Sequence, residues 1–236
     1  MRNILIFLAV LALAGGLAAC NKDKGPEGPT DFSGGCEAVD LGLSVKWASY
    51  NVGAKAPEEY GSYFAWGETK EKSNYGWSKV GDYKWGVYDE SASPLYGMTK
   101  YTADIEGGDG LKTLQPGDDA ATANWGTKWR TPTFKEIVDL LDVTKCEWTW
   151  DATKKGYTVK GLATGNSIFL PTAGWRDGSN LNDTGTYGLY WLSEVRDEGE
   201  FAPHAAEMLY IREFFGGYPN GCLRYRGISV RAVTEY

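Results

Sequence analysis

The segment Tyr75-Gly76-Trp77-Ser78-Lys79-Val80-Gly81-Asp82-Tyr83-Lys84-Trp85-Gly86-Val87-Tyr88 sets aromatic rings among Gly, Ser and Lys. Flat rings beside hydroxyl and amino groups suit the C–H faces and hydroxyls of sugars. Tyr75, Trp77, Tyr83 and Trp85 are therefore candidate ligand contacts, with Trp175 as a fifth; the alternative is that these rings cover the core as a flap. Trp175 stands beside Asp177-Gly178-Ser179-Asn180-Leu181-Asn182-Asp183. Asp177, Asn180, Asn182 and Asp183 offer the oxygen ligands that Ca2+ takes. Leu181 breaks the order of an EF-hand loop, and the same residue types form turns, which is the preferred reading. Asp118-Asp119 is an adjacent acidic pair rather than a spaced acid–base pair, and it suits a helix start. Arg224, Arg226 and Arg231 alternate with apolar residues and are expected to share one face of a last strand. Salt bridges to the acidic body are the plain expectation for them, and anion binding the sharper one.

Other chemistry is excluded by counting. His204 is the one histidine, so two-histidine zinc signatures, a Ser-His-Asp set and a Cys–His pair have little to build on. No Gly-rich phosphate loop follows a strand in the required order. The chain of 236 residues carries a formal charge of -7, which argues against nucleic acid as a partner. It is 42% hydrophobic and 23% charged, as folded domains are, with 31 glycines, 10 tryptophans and 15 tyrosines. The glycines predict many turns and few long helices.

The N-terminus reads as an address. Arg2 precedes an apolar run over residues 4–17, too short to span a bilayer, which ends in Leu17-Ala18-Ala19-Cys20. This resembles the lipobox of bacterial lipoproteins. The resemblance implies a signal peptide over 1–19, lipidation of Cys20 and a membrane partner reached through the anchor; Asn21 in place of Asp favours the outer membrane. Cleavage removes Arg2, leaving 23 of 24 Lys+Arg against 31 Asp+Glu, a charge of -8. Residues 20–36, rich in Gly, Pro and charge, predict a tether. Among Cys36, Cys146 and Cys222 at most one disulfide can form, and the sequence does not choose the pair.

The remaining 37–236 is long enough for one sizeable core. Short strand candidates flanked by turn residues recur at 39–41, 45–48, 62–66, 146–150, 157–160, 167–170, 190–192, 205–211 and 227–233. Thr133-Phe134-Lys135-Glu136 is a capping box before Ile137, Val138, Leu140 and Leu141, so a helix starts there. A shorter helix is predicted over 118–124. Residues 68–116 lack sustained periodicity and form a long excursion.

Several segments are recognisable together: Val39-Asp40-Leu41-Gly42-Leu43-Ser44-Val45-Lys46-Trp47-Ala48, Asn124-Trp125-Gly126, Trp129-Arg130-Thr131-Pro132-Thr133, Cys146-Glu147-Trp148-Thr149-Trp150, Tyr190-Trp191-Leu192-Ser193 and Arg226-Gly227-Ile228-Ser229-Val230-Arg231. In this order they resemble the Fibrobacter succinogenes major paralogous domain, over roughly 37–234. That family is similar to the C-type-lectin-like fold of the formylglycine-generating and sulfatase-modifying enzymes. The resemblance implies an α+β fold: a twisted, mainly antiparallel sheet with one or two helices and long loops. Ser49-Tyr50 departs from the Thr-Cys often found there, and Cys222 alone stands where the oxidases have paired thiols, so their chemistry is not implied. The expectation is a non-catalytic surface binding module for glycan or another extracellular macromolecule, requiring no cofactor unless Ca2+ binds. The alternatives are an adhesin or fimbrial accessory and a polysaccharide-acting enzyme.

Overall fold

The terminal segments of the domain meet. Strand β1 (Ala38–Val39) and strand β11 (Val233–Thr234) flank β2 (Lys46–Ala48), both antiparallel to it, with Trp47 opposite Val39 and Val233. The computed structural model describes residues 36–79, 81–87, 97–102, 107–196, 201–202 and 204–236. The expected signal over 1–19, the Cys20 acceptor and the tether as far as residue 35 lie outside the described residues. The described residues belong to one unit, residues 31–236.

Two helices sit between β2 and the remaining strands: α1 (Ala120–Trp125), after a 3-10 turn at Pro116–Asp118, and α2 (Phe134–Leu141). Then come β3 (Cys146–Asp151), β4 (Gly156–Gly161) and β5 (Ser167–Pro171), an antiparallel sheet with β4 central. β6 (Trp175–Asp177) and β7 (Asn180–Asn182) form a hairpin. β8 (Tyr187–Val195), β9 (Ala205–Arg212) and β10 (Gly216–Leu223) form the largest sheet, with β9 central and a bulge in β8 between Trp191 and Val195. All the strand ladders are antiparallel, and the fold is α+β as expected.

Alternate residues of β8 feed two cores, because successive strand side chains point to opposite faces. Leu189, Trp191 and Val195 join Trp66, Trp125, Trp129 and Ile228. Tyr190 and Leu192 join Trp47, Ile137, Leu140, Leu170 and Ile211. β8 is thus covered on both faces, which accounts for its apolar run. A third cluster, of Tyr63, Ala65, Tyr75, Tyr83 and Ala173, lies under the 68–116 excursion.

Two strand expectations are corrected. Residues 62–66 are extended but make one bridge, Phe64 to Ile228. In 227–233 only Val233 enters a strand. This segment is stitched to several partners in turn: Gly227 to Arg176, Ile228 to Phe64, Ser229 to Tyr190 and Val230 to Val52. β10 forms where no strand was expected, and the β6–β7 hairpin is built around the turn expected in 177–183.

Candidate functional site

The excursion is stapled by three aspartates. Asp82 Oδ2 accepts from Ser78 N at 3.0 Å, Ser78 Oγ at 3.0 Å and Lys79 N at 3.2 Å, and Oδ1 accepts from Asn74 Nδ2 at 3.2 Å. Asp109 accepts from the amides of Tyr101 (2.7 Å), Thr102 (2.9 Å) and Leu111 (3.1 Å). Asp118 accepts from Lys100 Nζ (2.6 Å), Lys84 Nζ (3.1 Å) and the Tyr101 hydroxyl (2.7 Å). Burial pushes each carboxyl up, but these donors together outweigh it and hold all three below the usual Asp range. The adjacent acid Asp119 does different work: it caps α1 by accepting from Ala121 N and Thr122 N, and it also takes Thr131 N.

Two of the four excursion aromatics are floor rather than ligand contacts. Tyr75 and Tyr83 are each 1% exposed. Their hydroxyls donate to the carbonyls of Tyr63 (2.5 Å) and Trp66 (2.8 Å), so both ends of each side chain are engaged within the fold. Burial pushes the Tyr75 phenol up to about 12. Trp77 and Trp85 are half-buried. Trp77 packs edge-on to Tyr83 and Tyr225 and tilted against His204. Trp85 meets Tyr101 edge-on, donates Nε1 to the Gly67 carbonyl at 2.9 Å, and lies under Lys84 and Lys100. Gly67, at φ +77°, admits that indole: a Cβ there would sit 2.6 Å from Trp85 Nε1.

What lies open on this element is polar. Glu68, Lys70, Glu71 and Lys72 on one side, and Gly81 and Lys84 on the other, line a cleft of about 450 Å3. Glu68 organises it, pairing with Lys72 Nζ at 2.9 Å and accepting from Lys84 N at 2.8 Å. Lys72 Nζ also donates to the Asp82 carbonyl at 2.6 Å and lies 5.5 and 5.6 Å from the ring centres of Tyr75 and Tyr83. Donors and acceptors thus alternate along a cleft whose described lining is charged and polar, an arrangement matched to a hydroxyl-rich ligand. The sequence marks the aromatics beside this cleft but not the residues that line it. Glu-Thr-Lys-Glu-Lys at 68–72 reads as a solvated charge run, although Glu68 and Lys72 stand four residues apart.

Trp175 lies elsewhere, on β6, half-buried. Its Nε1 donates to Asp183 Oδ2 at 2.9 Å, and the Arg226 guanidinium covers its ring at 4.4 Å. Asp177 pairs with Arg226 Nε at 3.3 Å. The Ca2+ candidates therefore form a hairpin, with Asp177 opposite Asn180 and Gly178 at φ +57° in the turn, and its two carboxylates face cationic or N–H donors. Among the described residues no three His, Cys, Asp or Glu side chains converge as metal ligands. A backbone bridge from Tyr75 to Gly178 ties this hairpin to the excursion.

The three arginines do not share a face, because 224–227 turns the chain after β10. Arg224 and Arg231 are buried, and their guanidinium groups donate to carbonyls: Arg224 to Tyr101 O (2.9 Å), Arg231 to Ala48 O (3.0 Å) and Phe169 O (2.8 Å). Only Arg226 reaches the surface. Cys36, Cys146 and Cys222 are all free thiols, the last two buried. His204 is buried against Trp77. A second opening, of about 700 Å3, is apolar, between the C-terminus of α2, β3 and the β9–β10 turn. Val143 is 81% exposed there, Phe215 62% and Leu162 50%. No protein-family model, curated protein or solved structure matches this chain.

Proposed function

We propose that the chain is a non-catalytic binding module of an exported, lipid-anchored protein. In this reading Cys20 carries the anchor in the outer membrane, and the domain is of the C-type-lectin-like type found in the Fibrobacter succinogenes major paralogous family. The ligand is a glycan or another extracellular macromolecule rich in hydroxyls, held in the Glu68–Lys72 cleft. One observation carries the reading: an open, charge-alternating cleft lies on an excursion stapled at three aspartates, so the recognition surface is prearranged and little ordering is needed on binding. Three buried side chains that could do acid–base or nucleophilic chemistry are engaged in the fold or held in the wrong protonation state for it. Asp119 caps a helix, Glu136 takes Arg130 at 2.6 Å, and burial raises the Cys222 thiol.

The test is retention of the full chain on a broad glycan array, with and without Ca2+. Lys70→Ala and Lys84→Ala are expected to weaken a retained glycan about tenfold or more, the loss of a charge-assisted hydrogen bond. Retention unchanged in both variants would remove the cleft from the proposal.

The assembly reading is favoured by the apolar groove, which lies where β3 and β10, each the end strand of its sheet, come together. Its occupant would be the same groove of a second copy, self-complementary across a two-fold axis. It predicts concentration-dependent self-association by sedimentation, lost in Val143→Ser/Phe215→Ser; a monomer at all concentrations would dismiss it.

A further inference from the structure

The turn from β9 to β10, Glu213-Phe214-Phe215, presents two adjacent rings to solvent. Among the described residues Phe214 is the most exposed large apolar side chain, at 89%, and Phe215 is 62% exposed. Phe214 also stands at φ +69°, in the left-handed region where Gly or Asn is the ordinary choice and a bulky ring is rare. Folding rewards neither the backbone nor the side chain of this residue, which points to a task outside the fold. Pairing of two apolar grooves would not account for it, because Phe215 lines that groove and Phe214 does not.

The surroundings grade from apolar to polar, as a bilayer surface does. Arg212 precedes the turn, with its guanidinium 3.6 Å over the Phe215 ring. Among the described residues its Nε has no hydrogen-bond partner and no carboxylate pairs with it. Behind the tip, Tyr187, Tyr210 and Tyr218 form a row across β8, β9 and β10, with neighbouring ring centres 5.4 and 5.1 Å apart. Exposed Phe first, then a cation and phenols, follows the order of acyl chains, phosphates and headgroups. Glu213 beside Arg212 gives the turn both signs of charge, which fits a zwitterionic headgroup, and a net charge of -7 disfavours an anionic surface.

The entry strand leads to this end of the domain. After β1 the Asp40 carbonyl accepts from Thr164 Oγ at 2.9 Å, and the Leu41 carbonyl lies against Gly161. Leu162, in the same 161–164 turn, is 50% exposed and lines the groove with Phe215. Sixteen peptide bonds separate Cys20 from Cys36, a chain length of at most about 55 Å. Within that reach a weak contact suffices, because the tether makes it intramolecular.

We propose that the Phe214–Phe215 turn docks on the bilayer that holds Cys20, with its rings among the acyl chains and Arg212 at a lipid phosphate. This rests on the lipid-anchored reading above and adds a non-covalent contact that sets which end of the domain faces the membrane.

The test places the full chain on phosphatidylcholine vesicles with brominated acyl chains, which quench nearby indoles. Phe214→Trp and Phe134→Trp are compared with the wild type. Phe134, 40% exposed, starts α2, whose other end reaches the groove. Each variant replaces one exposed ring by another, and unchanged urea unfolding checks the fold. The indole at 214 is expected to lose about half or more of its emission, and the one at 134 to keep it. Adding Arg212→Gln to Phe214→Trp is expected to reduce the quenching about twofold or more, and unchanged quenching would overturn the phosphate contact. Mass analysis of Cys20 reads the anchor separately. Equal quenching at 214 and 134 with Cys20 acylated would overturn the docking and keep the anchor. Quenching at 214 with Cys20 unmodified would keep the docking and overturn the anchor. A blue shift at 214 that grows with protein concentration in vesicle-free solution would place a second copy on the tip and overturn the bilayer contact.

Discussion

Arg231 shows how a single side chain stitches this fold. Its guanidinium donates to Asn51 Oδ1 at 2.9 Å and to the carbonyls of Ala48 and Phe169, and burial lowers its pKa to about 10, so it stays charged at neutral pH. Removing the donors while keeping the stem leaves three buried acceptors without partners. Arg231→Met is therefore expected to destabilise the protein by about 3 kcal/mol or more, measured by urea unfolding. A loss under about 1 kcal/mol would contradict this role. The alternation of Arg224, Arg226 and Arg231 with apolar residues is plain in the sequence. Their burial is not, because it depends on which carbonyls the fold leaves unpaired nearby. The aromatic count has a similar limit. None of the ten tryptophans reaches full exposure, and Trp77 and Trp85 are wedges packed on glycines rather than an open platform. Ring type marks the segment, but only packing tells a stacking surface from a flap. Gly67→Ala is expected to cost about 1–3 kcal/mol in the same assay, since a Cβ would be strained at positive φ and collide with Trp85.

At the scale of elements, the local signals are the ones the sequence reveals. Thr133 accepts from Glu136 N at 3.3 Å and Glu136 reaches back to Thr133 N at 2.8 Å, so the capping box forms as its four residues predict. Thr133→Ala is expected to cost about 1 kcal/mol by denaturant unfolding. Strands that depend on a distant partner are less legible. β10 is written Gly-Gly-Tyr-Pro-Asn-Gly-Cys-Leu, poor in strand formers, and it is a strand because all eight residues pair with β9. Residues 62–66 have the better strand pattern, but their neighbours are single extended segments and no ladder forms. The excursion has no periodicity to read, because Asp82, Asp109 and Asp118 fix it through amides and lysines. Their folded pKa values lie below the ordinary 3.8. The stabilisation they give is fully present above that value and is lost as the pH falls through the lower folded values. Tryptophan fluorescence and amide exchange over 68–116 are therefore expected to report local loosening below about pH 4, ahead of the β8–β9–β10 sheet. Simultaneous loss of both regions would contradict a separately stapled excursion.

The molecule as a whole consists of two cores on either side of β8 and β9, closed by pairing of the terminal strands, with a third cluster carrying the excursion. The α+β class with few helices follows from short strand signals, frequent glycines and one strong capping box, and the structure has that form. The cleft itself is hardly legible: the sequence marks the neighbouring aromatics, while the charged residues at 68–72 that line it look like ordinary surface until the chain folds them opposite Gly81 and Lys84. The central claim is that this cleft binds a hydroxyl-rich ligand without turning it over. The most direct measurement is a side-by-side glycan array of the full chain and its Lys70→Ala/Lys84→Ala variant, with the products of retained glycans analysed by mass spectrometry. The account predicts selective retention by the wild type, loss of that retention in the variant, and glycans recovered intact. Retention equal in both proteins, no retention at all, or recovered fragments would contradict it.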